Sequence, residues 1–319
     1  MPLVSVIVPN YNHAPYLRQR LDSIFNQTFQ DFELIILDDC STDNSKEIIE
    51  EYRSKPQVRH IVYNETNSGS PFKQWAKGFE LAQGEYIWIA ESDDWAEPNF
   101  LEDLSSALQA NPKLALAFSN SVWFSEQGNL KSSNIYQHDT FVSGNTFFYK
   151  KMLTHNSICN ASSALFRKEC LVQIPFFYQS FKACGDWVFW IELCWKGDIY
   201  YISKTLNHFR QHQMSTTKQS FLSGITYKES FEIYDFIKKH KEIPFLKRHC
   251  IATFFLTFPQ KNPNIVANNP EIYKQTYQKW RKEIWNPIVS RFFVDIMFVF
   301  WTIKKRFYSI LKKNIDNFF

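Results

Sequence analysis

Glycine is scarce in this chain, 8 residues in 319, and no glycine-rich phosphate loop follows the first apolar run. That argues against a nucleotidyltransferase built on such a loop. The six cysteines, Cys40, Cys159, Cys170, Cys184, Cys194 and Cys250, form no C-x-x-C pair and no metal-ligand spacing with the eight histidines. They read as reduced core thiols of a cytosolic protein. No apolar run reaches 18 residues; the nearest, Phe292 to Ile303, is cut by Asp295 and is too short to span a bilayer. Charge of one sign is not in excess either: a formal net charge of +4 is too small and too dispersed for a nucleic-acid footprint. The opening MPLVSVIVPNYN has no basic region, no long apolar stretch and no small-residue cleavage site, so a cytoplasmic location is expected.

What the chain does have is length for a full core and an aromatic fraction of 18%, with 31 Phe. Leu3 to Val8 is a β-branched run that reads as a buried parallel strand. Leu17, Leu21, Ile24 and Phe25 then share one helical face, and Phe32 to Leu37 is a second strand. The cluster Asp38 to Asn44 should open a helix carrying Ile48, Ile49 and Tyr52. A strand at Val58 to Tyr63, a helix from Pro71 to Ala82 and a strand at Glu85 to Ala90 continue the alternation. A helix over Glu97 to Ala110, a strand at Leu114 to Ser119, an irregular mixed stretch and a strand at Ala161 to Phe166 follow. Asp186 to Trp195 reads as a helix, Ile199 to Arg210 as one or two short strands, and the remainder as helical. The expected fold is α/β: a mostly parallel central sheet flanked by helices, with a helical C-terminal region.

Ligands of such sheets bind beyond the carboxyl ends of the strands. Three strand ends carry polar chemistry: Pro9-Asn10-Tyr11-Asn12, Asp38-Asp39 and Glu91-Ser92-Asp93-Asp94. Brought to one edge, they line a site with an aromatic ring, amides and at least four carboxylates. Carboxylates repel a bare nucleotide diphosphate, so this site calls for a hard divalent cation, Mg2+ or Mn2+, between acid and phosphate. Asp43 reads as a cap or turn residue. Trp88, Trp187 and Trp190 read as core, while Trp95, beside the acidic loop, is the ring placed to touch a sugar face.

The segments SVIVPNYNHAPYL, FELIILDDCSTDNS, GEYIWIAESDDW and the later GDW resemble the inverting family 2 glycosyltransferases of the GT-A fold, over about residues 3 to 212. The resemblance implies a nucleotide-sugar donor, a divalent metal and single-displacement transfer to an acceptor hydroxyl. By position it assigns Pro9, Tyr11 and Asn12 to the nucleoside, with Tyr11 stacking on the base, and Asp39 to the base edge. Asp93 matches the last acid of the D-x-D metal motif, and Glu91 stands where its first acid is usually aspartate. Ser92 and Asp94 belong to the same donor loop, Asp94 holding the loop or orienting the sugar. Family members often carry an Arg-Asn pair where this chain has Trp75-Ala76, which shifts the phosphate contact to Lys73. Asp186 matches the catalytic base at a helix start, and His212 the late basic element near the metal.

The expected activity is transfer from a UDP-sugar to a glycan or lipid-linked saccharide in cell-surface polysaccharide synthesis. Residues 1–100 would bind the donor, 101–215 the acceptor, and 216–319 form the helical region. The alternative is a non-catalytic nucleotide-sugar-binding subunit of a glycosyltransferase complex. The tail stripe Phe292, Phe293, Ile296, Val299, Phe300 and Ile303, with Lys304, Lys305, Arg306, Lys312 and Lys313 after it, has two readings. It packs on the catalytic domain, or it makes peripheral contact with the anionic inner face of a membrane.

Overall fold

The computed structural model describes residues 1–212 and 215–284, so the aromatic and basic tail lies outside the described residues. The chain folds as two units, Met1–Lys218 and Gln219–Phe319. In the first, the alternating elements are β1 (Val4–Asn10), α1 (Ala14–Phe25), β2 (Phe32–Asp38), α2 (Ser45–Glu51), β3 (Val58–Tyr63), α3 (Pro71–Leu81) and β4 (Tyr86–Ile89). They are followed by β5 (Trp95–Ala96), α4 (Phe100–Ala110), β6 (Leu114–Ser125), β7 (Gly128–Ser132), β8 (Thr140–Val142) and α5 (Gly144–Phe147). The unit closes with β9 (Ala164–Arg167), α6 (Gly185–Cys194) and β10 (Asp198–Arg210), and α7 (Thr216–Leu222) crosses the boundary.

The sheet runs β3-β2-β1-β4-β9-β6-β10-β5, with β7 on β6 and β8 on β10. Strands β3, β2, β1 and β4 are parallel, in the register Val6 to Leu34 and Val6 to Trp88. Every residue of β1, β2 and β4 is buried, which is why each reads in the sequence as a mainly apolar run; the interior exceptions, Ser5 and Glu33, satisfy each other, Ser5 Oγ donating to Glu33 Oε1 at 2.6 Å. Alternate side chains serve two layers. Val4, Val6, Val8, Leu34, Ile36 and Trp88 pack with Leu17, Leu21 and Ile24 of α1 and Phe100, Leu104 and Leu108 of α4. On the other face, Trp75 and Phe79 of α3 meet Phe166, Phe189 and Trp190 in an aromatic cluster, mostly edge-to-face, with Phe79 stacked on Phe189. Much of the aromatic excess is therefore core.

The second half of the sheet is mixed. β9 pairs antiparallel with both β4 and β6, while β6 and β10 are parallel. Several boundaries differ from the sequence expectation. β1 runs on through Pro9 to Asn10. α4 starts only at Phe100, after Pro98. β6 continues six residues past Ser119, to Ser125. Of the one or two short strands expected over Ile199 to Arg210, the structure has one, β10, of 13 residues, with register shifts near Ile202, Thr205 and Asn207 absorbing its irregularity.

The second unit contains α8 (Ile225–His240), α9 (Phe245–Lys261), α10 (Pro263–Asn268) and α11 (Pro270–Lys282). Its core is aromatic: Tyr227 stacks with Phe258 and Tyr273, and Phe255 stacks on Trp280. Among the described residues no helix is long and apolar enough to cross a membrane.

Candidate active site

The carboxyl ends of β1, β2 and β4 lie side by side, and local hydrogen bonds stitch their loops together. Asn10 Nδ2 donates to Asp38 Oδ2 (2.8 Å) and Ser41 Oγ (3.2 Å). Asn12 adopts a left-handed backbone (φ 55°), which asparagine tolerates, and its Oδ1 accepts from Thr42 N (2.8 Å). Asp43 joins two helix starts, accepting from Ala14 N at Oδ2 (2.9 Å) and from Ser45 N at Oδ1 (3.0 Å). Tyr11 projects from this frame with 46% of its surface exposed.

Asp39 is buried in a ring of donors. Asn64 Nδ2, Ser68 N and Gln74 Nε2 donate to Oδ1 at 2.6, 2.9 and 2.8 Å, and Ser68 Oγ donates to Oδ2 at 2.8 Å. Acceptor capacity remains mainly on Oδ2. Lys73 Nζ donates to the Ser68 carbonyl (3.0 Å), on the same loop.

The acidic turn after β4 is clamped from several directions. Trp75 Nε1 donates to Glu91 Oε1 (2.9 Å), Arg20 Nε to the Glu91 carbonyl (2.8 Å), and the Glu91 N–H to Ser162 Oγ (3.0 Å). Asp94 is buried, accepting from Asn160 Nδ2 (2.6 Å) and from the Arg210 N–H (3.0 Å). It therefore fastens the turn to β10 and to the segment before β9. Arg210 Nε donates to the Asp93 carbonyl (2.8 Å), and its guanidinium lies over the Tyr16 and Phe124 rings. Ser92 Oγ lies 2.8 Å from His13 Nδ1, within hydrogen-bonding distance.

Beneath the turn lies Arg20, fully buried over the Trp88 ring. Its Nη1 and Nη2 have no hydrogen-bond partner among the described residues, so it acts on the acids by charge. Burial lowers its pKa to about 10, against the pull of Asp94, Asp93 and Glu91, and it stays protonated at neutral pH. Burial and the neighbouring Asp93 charge raise Glu91 to about 8 and Asp94 to about 7. Asp93 is the exception. Burial pushes it up, but the His212 hydrogen bond and the His13 and His212 charges bring it below the ordinary carboxylate value. Burial likewise lowers His13, opposed by Asp93. Negative charge in the turn is thus concentrated on Asp93.

That carboxylate sits 3.0 Å from His212, Oδ2 to Nε2. One ligand atom from each of His13, Asp93 and His212 lies within 4.8 Å of the others. Two imidazoles and a carboxylate at this spacing fit a divalent ion. Glu91, placed among the metal ligands by its position in the motif, is outside this group: its carboxyl is turned to the Trp75 indole. His13 stands in its place, a residue that sequence reasoning passed over inside a run of turn residues. Arg20 and Asn160 were also missed.

Asp186 opens α6, where Cys184 is the N-cap residue. Its Oδ2 accepts from Asn156 Nδ2 and its Oδ1 from the Trp187 N–H, both at 2.8 Å. Gly185 precedes it at a close approach, since a Cβ there would lie 2.4 Å from the Tyr178 carbonyl oxygen and 2.6 Å from the Phe72 ring. Asp186 lines the same cavity, of about 150 Å³, as His13, Glu91, Asp93 and Asp94. Asp39 does not line that cavity; α3 connects the two, its Gln74 on Asp39 and its Trp75 on Glu91. Trp95, the ring expected to face a sugar, instead stacks flat on His208 at 3.5 Å.

The chain is 28% identical to TuaG of Bacillus subtilis (strain 168), a glycosyltransferase named for teichuronic acid biosynthesis, over 66% of this chain and 79% of that protein. A structure of Staphylococcus aureus TarS residues 1–349 in complex with UDP-GlcNAc superposes with a TM-score of 0.67 at 21% identity, covering 87% of this chain and 79% of that one. A mannosyltransferase of Pyrobaculum calidifontis in complex with GDP-Man and Mn2+ superposes with a TM-score of 0.53 at 15% identity, over 88% of this chain and 74% of that one. These likenesses establish a shared fold. Residues 5–174 match the model of glycosyl transferase family 2, and with the strand-end acids gathered as described the chain belongs to that family.

Proposed function

We propose that this enzyme is an inverting, metal-dependent glycosyltransferase that moves a sugar from a UDP-sugar to a hydroxyl of a glycan or lipid-linked saccharide in surface polysaccharide synthesis. One observation carries the reading: Asp93, in the turn after β4, and Asp186, at the start of α6, lie 93 positions apart in the chain yet line one cavity. The TarS complex with UDP-GlcNAc supports the choice of donor, and the mannosyltransferase complex with Mn2+ supports a divalent ion.

In this reading residues 1–100 bind the donor. Pro9, Tyr11 and Asn12 frame the nucleoside, the exposed Tyr11 ring stacks on the base, and Asp39 presents Oδ2 to the base edge. Lys73, at the rim of the Asp39 loop, is a cation available to a phosphate. Asp93 and His212 would hold the divalent ion, Mn2+ or Mg2+, which when bound would neutralise diphosphate charge. Ser92 and Asp94 keep the turn in place. Residues 101–215 contribute Asp186, which takes the acceptor proton as the hydroxyl oxygen attacks the anomeric carbon. The bond from that carbon to the diphosphate breaks in the same step, the electron pair leaves with the nucleotide, and the configuration inverts. Asp186 lies in the first turn of α6, where the helix dipole favours negative charge.

The test is transfer from a panel of UDP-sugars with Mn2+, following UDP release with and without saccharide acceptors. UDP release by the wild type and its loss in Asp93→Ala are expected. Donor binding by calorimetry without turnover on any acceptor would overturn the enzyme reading in favour of a binding subunit.

A further inference from the structure

We propose that His13 is a third protein ligand of the divalent ion, so that this site favours a first-row transition ion such as Mn2+ or Co2+ over Mg2+. The inference rests on the reading that Asp93 and His212 hold that ion. His13 occupies the N-cap position of α1, yet its side chain makes no capping bond, so the ring is not committed to the helix. It meets the His212 ring edge-on, with centroids 5.6 Å apart at 87°, and one of its ring nitrogens lies within 4.8 Å of an Asp93 carboxylate oxygen. Ligand atoms within 4.8 Å of one another approach the separation of about 3 to 4 Å found around one ion with bonds of about 2.1 Å. The Tyr16 ring flanks both imidazoles, 6.0 Å from His13 and 5.1 Å from His212, and covers one side of the group.

Ser92 gives the arrangement its outer support. With the imidazole proton on Nδ1 and directed at Ser92 Oγ, Nε2 keeps its lone pair, the usual way a metal-binding histidine is oriented. The donor set becomes two nitrogens and one oxygen. Mg2+ prefers an all-oxygen shell and retains its water, whereas imidazole raises affinity along the Irving–Williams order. Glu91, its Oε1 engaged by the Trp75 indole N–H at 2.9 Å, leaves the carboxylate share of the site to Asp93.

The test uses the full chain with UDP present. Pulsed electron paramagnetic resonance of bound Mn2+ should show two coordinated imidazole nitrogens in the wild type and one in His13→Asn, a substitution suited to an N-cap position. Calorimetry should show the Mn2+ Kd of His13→Asn rising at least about tenfold, the loss that even outer partners of a metal site can cause. Mg2+ affinity should change by less than about threefold. A single imidazole nitrogen in the wild type, or unchanged Mn2+ affinity in His13→Asn alongside a loss in His212→Asn, overturns the proposal and leaves the glycosyltransferase reading intact. The wild-type spectrum decides even where a variant folds poorly. Absence of Mn2+ binding by the wild type rejects the metal-dependent reading itself.

Discussion

Replacing Glu91 by glutamine tests the electrostatic account of the acidic turn most directly. Its carboxyl is buried beside Asp93, receives the Trp75 indole N–H, and has its pKa raised from 4.5 to about 8. Between those values the folded chain holds a proton at Glu91 that the unfolded chain has released. Wild-type stability therefore falls as pH rises through this window, with a contribution of about 1.4 kcal/mol per pH unit from this group. Glutamine is isosteric with the neutral acid, can still accept from Trp75, and has no proton to lose. The stability difference, Glu91→Gln minus wild type, should grow in favour of the variant by roughly 2 to 3 kcal/mol between about pH 5.5 and 7.5. The assay is urea denaturation at three pH values in that range, with EDTA present and Trp fluorescence as the probe. A pH-independent difference would mean that Glu91 is ionised in the folded state, and the assignment of the charge to Asp93 alone would fail. The same substitution should leave Mn2+-dependent transfer within about threefold of wild type, because the group replaced is not a ligand.

Asp186→Asn should keep donor affinity while lowering kcat by at least about a hundredfold, the usual contribution of a general base, as measured by calorimetry and UDP release. Unchanged turnover would remove Asp186 from the proton transfer. Gly185→Ala should cost about 1 to 3 kcal/mol in urea denaturation, because its Cβ meets the Tyr178 carbonyl and the Phe72 ring, and a cost near zero would show that α6 can shift freely. Asp43→Ala removes acceptors from two helix starts and should lose about 1 to 2 kcal/mol by the same assay. Arg20→Met, which leaves the acids without their buried cation, should lose on the order of 3 kcal/mol, and a gain in stability would show that its desolvation outweighs its attraction.

The first half of the fold was legible because a parallel strand covered on both faces must be apolar at nearly every position. β1, β2 and β4 meet that condition, and their polar ends mark the site without reference to any distant residue. The same reasoning finds β10 as strand but fails to settle whether it is one strand or two, because its register shifts depend on a distant partner. It also fails for Trp95, whose place beside the acidic turn says nothing of His208 arriving from β10 to cover its face. Partners that come from far along the chain leave no local pattern. Asn160 holds Asp94 across 66 positions, and Ser92 meets His13 across 79.

Arg20 shows how such a partner can be inferred all the same. On α1 it lies beside Leu17, Leu21 and Ile24, and periodicity alone makes it a polar residue at the edge of an apolar face. Yet three acids within four positions, at the end of a fully buried strand, cannot all be desolvated without a cation or a proton to offset them. The chain uses both: a buried guanidinium below the turn, and a proton favoured on Glu91, with the pKa of Asp94 also raised, to about 7. The same requirement explains why Asp93 is the acid that stays charged, since it alone faces two imidazoles. An acidic motif at a buried strand end therefore implies its own neutralising set, and the residue left ionised is the one whose neighbours can share an ion with it.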